Sequence, residues 1–194
     1  MIPGATLSLP AFPSARPDAP ARTASFAVPD IRLRHAEASD LPFLRQLYGI
    51  LRAQELAQTG WPNDLRQAFL DSQFALQHRH FVAMYAAADF YLVQCGDEPI
   101  GRFYLLRERP YFLVVDIALL PSWRGRSIGT DLLAWAQRLV EQDHDAAGID
   151  LHVDERNVAA QRLYARLGFH VSTHASPYIA MRWSCESTTQ LNTA

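Results

Sequence analysis

A mixed α/β (α+β) domain is predicted, with a mostly antiparallel central sheet flanked by helices in the order β-α-α-β-β-β-α-β-α-β-β. Three observations predict it. Period-two and helical apolar patterns alternate along the chain. Three strand-like runs between Phe90 and Leu119 are joined by turns too short for a crossover, which reads as an antiparallel meander. Hydrophobic content of 49% and charged content of 20% in 194 residues suit one globular domain with a substantial core.

Residues 1–29 hold six prolines among many Ala and Ser. They are expected to form a disordered extension rather than a secretory leader, because no basic stretch precedes a continuous apolar run. The folded domain is placed at 30–183. Ile31-Arg32-Leu33-Arg34 alternates as a short strand. Ser39-Asp40 offers a helix N-cap, and Leu41, Leu44, Tyr48 and Leu51 follow at helical spacing towards Gln58. Gly60-Trp61-Pro62-Asn63 interrupts this pattern, and a second helix is expected from Asp64 to about His78 with Leu65, Phe69 and Leu76 inward.

Phe90–Cys95, Pro99–Arg107 and Tyr111–Leu119 read as the three meander strands. Ile128, Leu132, Trp135, Leu139 and Val140 mark a helix running to about Asp143. Ile149–Val153 is a strand. Asn157–Leu167 is a helix with Ala160, Leu163, Tyr164 and Leu167 on one side, ended by Gly168. Phe169–Thr173 and Tyr178–Trp183 complete the set, and residues 184–194 read as a flexible tail.

A net charge of −2 argues against a general nucleic-acid partner. No apolar run reaches the roughly 20 residues that span a bilayer, so no membrane partner is expected. Two cysteines, Cys95 and Cys185, form no disulfide framework and suit a reducing cytoplasm. The seven histidines show no metal-ligand spacing, so no metal is expected.

The chemistry concentrates in Asp116–Thr130. An apolar strand ends at Pro121, a basic turn Arg124-Gly125-Arg126-Ser127-Ile128-Gly129 follows, and an amphipathic helix begins. Backbone N–H groups and the positive end of the helix dipole converge at such a turn, which makes it an anion site. A second motif, Asn157-Val158-Ala159-Ala160-Gln161-Arg162-Leu163-Tyr164 with Gly168-Phe169, lies about 30 residues further on, beyond another strand. Together the two motifs and the element order resemble the GNAT superfamily of acyl-CoA-dependent N-acyltransferases. The resemblance covers Ile31 to Trp183.

The resemblance implies a GNAT-like fold and acetyl-CoA as cosubstrate. Arg124, Gly125, Arg126, Ser127, Ile128, Gly129 and Thr130 would cradle its pyrophosphate, and Ile117, Ala118 and Leu119 would run beside its pantetheine arm. The Leu119 N–H would polarise the thioester carbonyl. Tyr164 would protonate the departing thiolate. Asn157 would bond the cofactor or cap its helix. Ser127 departs from the pattern, since the family usually has glycine there. A serine keeps the N–H, and its hydroxyl either caps the helix or bonds a phosphate oxygen.

The general base stays open among Asp116, His152, Asp154 and Glu155. Strand alternation places Asp116 with Ala118 and Leu120, away from Ile117 and Leu119, unless a bulge intervenes. The resemblance implies an acceptor site between about Gln54–Asp64 and Thr173–Pro177, with Trp61, Tyr85, Phe90 and Tyr104 as candidate lining. The chain is read as an N-acetyltransferase acting on a primary amine of a small molecule or peptide in a ternary complex, as a monomer or homodimer. A non-catalytic acyl-CoA sensor of the same fold is the rival. A P-loop enzyme is excluded because Thr130-Asp131, not a lysine, follows the turn.

Overall fold

The computed structural model describes residues 9–185. The strands are β1 (Ile31–His35), β2 (Asp89–Cys95), β3 (Glu98–Leu106), β4 (Tyr111–Leu119), β5 (Gly148–Asp154), β6 (His170–Ala175) and β7 (Tyr178–Ser184). The helices are α1 (Leu41–Ala57), α2 (Asn63–Met84), α3 (Ile128–Glu141) and α4 (Val158–Arg166). The strands form one seven-stranded sheet in the order β1-β2-β3-β4-β5-β7-β6. Every pairing is antiparallel except β4 with β5, where α3 makes the crossover. Among the described residues no helix is long and apolar enough to cross a membrane.

The two sheet faces are covered by different helices. Ile128, Leu132, Trp135 and Val140 of α3 and Tyr164 of α4 pack with Phe103, Phe112, Val114, Ile149 and Leu151 on one face. Leu44 and Tyr48 of α1 and Phe74 of α2 meet Leu92 on the other. Phe90, Leu92, Phe103 and Leu105 therefore have no exposed surface, as expected of central strands covered on both sides.

Two expectations are corrected. Leu65, Phe69 and Leu76 of α2 are exposed, while Phe74 and His78 are buried. The helix carries apolar residues on both sides, so spacing alone cannot choose the inward one. It also runs on to Met84, past the expected end at His78. Of the expected extension 1–29, residues 1–8 lie outside the described residues, and residues 9–29 pack on the domain. Phe12 lies among His78, Phe90 and Tyr104, with ring centroids 4.8, 5.4 and 6.4 Å away. The Nε2 groups of His78 and His35 donate to the carbonyls of Pro10 and Pro13, each at 2.7 Å. Asp18 accepts from Arg107, and the Val28 N–H donates to Asp131 at 2.8 Å. Proline removes N–H donors but keeps carbonyl acceptors, which suits a segment strapped down by side-chain donors. Of the expected tail, Ser184 still pairs with Gly148 in the sheet, and residues 186–194 lie outside the described residues.

Candidate active site

β4 and β5 pair only from Tyr111↔Gly148 to Val114↔Leu151. Beyond that point β5 stays with β7, while β4 continues along β3 to Leu119. The two strands thus part, and the β5-facing edge of 115–119 has no strand neighbour. A β-bulge between Tyr104 and Leu105 of β3, opposite Asp116 and Val114, coincides with the parting.

The bulge settles which groups face the gap. Leu120 N–H donates to the Ile100 carbonyl at 2.9 Å. By alternation Ala118 also directs its main chain to β3, while Ile117 and Leu119 direct theirs into the gap. Ala118, expected beside the cofactor, is therefore turned away. Gly101 lies opposite Leu119 so closely that a Cβ there would sit 2.3 Å from the Ala118 carbonyl oxygen. Only glycine allows β3 to hold this part of β4.

The basic turn closes one end of the gap. Gly125 has φ of 72° and Ser127 has φ of 63°, both left-handed. Ser127 is the residue before α3, but its side chain makes no capping hydrogen bond, contrary to one of the two expected uses of its hydroxyl. Arg124 Nε donates to the Leu119 carbonyl at 3.2 Å, and the Arg126 guanidinium stacks 4.7 Å from the Trp123 ring. Ile128 is buried in the core, so only its main chain is available to a ligand. Thr130 is half-buried in the first turn of α3. Gly129 brings the helix start near α4, where an added Cβ would lie 3.4 Å from Leu163 Cδ2. Free N–H groups, a helix N-terminus and two cations at the mouth of a parted strand pair fit a diphosphate with an extended arm.

Tyr164 of α4 is buried beside Phe169, with ring centroids 6.0 Å apart. Burial, helped by the negative charge of Asp116, pushes its phenol up to about 12. The phenol therefore stays protonated. Asn157 caps α4, its side chain accepting from the Ala160 N–H at 3.2 Å.

The base candidates separate. Asp116, itself partly exposed, accepts from the buried Arg102 Nε on the sheet face under α1 and α2. Asp154 takes two guanidinium hydrogen bonds from Arg156 and is drawn down to about 2, chiefly by them. Glu155 accepts from the Ser176 hydroxyl at 3.3 Å. His152 is exposed, one residue past the last β4–β5 pair. Ile149, Leu151 and Val153 point to α3 and α4, so alternation puts His152 on the α1–α2 face with Asp116.

A cleft of about 490 Å³ on that side is lined by Leu51, Glu55, Gln58 and Arg156. It overlaps the expected acceptor region. A second groove, of about 660 Å³, is lined by residues of α1, from Pro42 to Leu56, and of α2, from Asn63 to Leu70, alone. Of the aromatic lining candidates, Phe90 and Tyr104 are core, and Trp61 packs edge-on to Phe69 at 5.3 Å. Tyr85 is half-buried beside Phe81. Among the described residues no cluster of three His, Cys, Asp or Glu is placed to hold a metal. Sequence reading missed Arg102, Gln77 and Gly101. Arg102 was signalled as the one charge in the apolar run Ile100–Leu106.

Residues 50–169 match the acetyltransferase (GNAT) family, and the chain belongs to it. Solved structures of similar fold include the PaiA N-acetyltransferase of Thermoplasma acidophilum in complex with coenzyme A. That match has a TM-score of 0.62 at 16% identity, covering 80% of this chain and 99% of that one. An acetyltransferase from Thermus thermophilus matches with a TM-score of 0.60 at 16% identity, covering 83% and 100%. RimL, a ribosomal L7/L12 alpha-N-protein acetyltransferase in complex with coenzyme A, matches at 0.57 and 15%, covering 83% and 97%. No curated protein sequence matches significantly.

Proposed function

We propose that this protein is an acetyl-CoA-dependent N-acetyltransferase that acetylates a primary amine in a ternary complex. The parting of β4 from β5, with the Leu119 N–H directed into the gap and Tyr164 buried alongside, carries this reading. Acetyl-CoA supplies the activated acetyl group. The turn from Arg124 to Thr130 holds its diphosphate, and Ile117 and Leu119 offer main-chain partners to its arm.

His152 is the base, because Asp116, Asp154 and Glu155 are engaged by Arg102, Arg156 and Ser176. A histidine ring nitrogen is the side-chain base most often used to take a proton from a reacting group, which suits deprotonation of an ammonium. The free amine forms the new C–N bond with the carbonyl carbon while the Leu119 N–H donates to the carbonyl oxygen. The C–S bond then breaks with its electron pair going to sulfur, and Tyr164 gives that sulfur its proton. The proton shed by the new amide nitrogen restores the phenol through solvent.

Two measurements test the assignment. Tyr164→Phe is expected to lower turnover about 100-fold, within the range typical of a lost general acid, with CoA affinity nearly unchanged. Proportionate loss of both would remove Tyr164 from the mechanism. Thiol release is then followed with acetyl-CoA and a panel of an alkyl monoamine, a polyamine, an amino acid amide and a peptide with a free N-terminus. Tight CoA binding with no thiol release from any of them would favour the sensor.

A further inference from the structure

The mechanism leaves one buried polar cluster unused. Arg102, on β3, is 3% exposed and lies under α2. Its Nε donates to Asp116 Oδ2, and its Nη2 donates to Gln77 Oε1 of α2 at 2.9 Å. The guanidinium is held between the Phe81 and Tyr104 rings, 5.8 and 5.5 Å from their centroids. Such burial is costly for a cation unless its partners are fixed. A plain structural ion pair has no need to sit at the bulge where β4 leaves β5, yet Asp116 does. Its side chain remains 24% exposed, and only Oδ2 takes the guanidinium.

We infer that Arg102 is a positioning residue for the acceptor: anchored by Gln77, it pins Asp116 Oδ2 and leaves Oδ1 to hold the incoming ammonium on the β4 lip of the gap, at its α1–α2 face. The opposite lip carries His152, so the substrate nitrogen is held between an anion and its base. The specificity that follows is for acceptors that arrive as cations at nitrogen. Gln77 makes α2 part of this device, which ties acceptor binding to the helix that also receives the strap through His78. The inference rests on the acetyl-transfer reading.

The test uses the full chain, acetyl-CoA and the most active amine of the panel above. Asp116→Asn is expected to raise the KM for that amine at least about tenfold, the scale of one charge-assisted hydrogen bond. The KM for acetyl-CoA should change less than about twofold, since Asp116 faces away from its arm. Arg102→Lys keeps the charge and loses the fork, so a smaller rise of the same kind is expected. Gln77→Met, a change that leaves the ion pair in place, is expected to raise the amine KM about threefold. It should have no further effect in an Asp116→Asn background, as required of a residue acting through Asp116.

Gln77→Met effects that persist in that background, or a fall in kcat with both KM values rising together, would overturn the positioning role alone. Absence of thiol release by the wild-type protein with every amine would instead overturn the acetyl-transfer reading and this inference with it.

Discussion

Ser127 holds a backbone conformation with φ of 63°, where an L side chain costs about 1–2 kcal/mol. Its hydroxyl does not recover that cost by capping α3. Ser127→Gly is therefore expected to stabilise the protein by about 0.5–1 kcal/mol, the relief being reduced by the greater freedom of glycine in the unfolded chain. Urea denaturation measures this, and calorimetry should show CoA affinity undiminished. A weaker CoA complex would instead assign the hydroxyl to a phosphate oxygen. Ser127 and Tyr164 stand out in the sequence by their motif positions. Arg102 was readable only as an anomaly, since its partners Asp116 and Gln77 lie 14 and 25 residues away.

β4 shows how an element acquires a role its residues do not spell out. Its bounds, Tyr111 to Leu119, agree with the expected run. Its use depends on the bulge opposite Asp116 and on Gly101, neither of which leaves a pattern in β4 itself. Gly101→Ala would press a methyl against the Ala118 carbonyl and is expected to cost about 1–3 kcal/mol, the range for overpacking. It should also raise the KM for acetyl-CoA by displacing Leu119. Chemical denaturation and steady-state kinetics check both, and wild-type values would show that β3 does not position the Leu119 main chain. α2 makes the converse point. Its existence was legible, but its inward face was not, because two apolar stripes compete and the sheet and the strap select the one through Phe74 and His78.

The N-terminal strap joins both layers of the domain. Phe12 seals the α2 side, while Phe26 lies 6.1 Å from Trp135 of α3. His78, which fastens the strap to α2, is pushed below the ordinary 6.5 mainly by burial, with Arg102 and Arg79 adding repulsion against the Pro10 carbonyl. The unfolded chain then binds a proton that the folded chain refuses. Stability is full above about pH 6.5 and falls as the pH drops towards the lower folded value. The melting temperature should fall between pH 7.5 and 5.5, and His78→Gln, which keeps a donor for Pro10, should flatten the fall. Parallel losses in the two proteins would place the sensitive group elsewhere. The depressed carboxylates Asp18, Asp40, Asp143 and Asp154 act in the opposite register of pH, losing their contribution only below about 4, their ordinary value being 3.8.

Local signals were enough for the element order, the basic turn before α3 and the α4 motif, because propensity, capping and apolar period act over a few neighbouring residues. The acetyltransferase family followed from those signals together. Tertiary packing alone decided where β4 leaves β5, which sheet face carries Asp116 and His152, which face of α2 is buried, and that residues 9–29 are docked. Each of these depends on contacts between residues distant in the chain, whose energies no local pattern encodes.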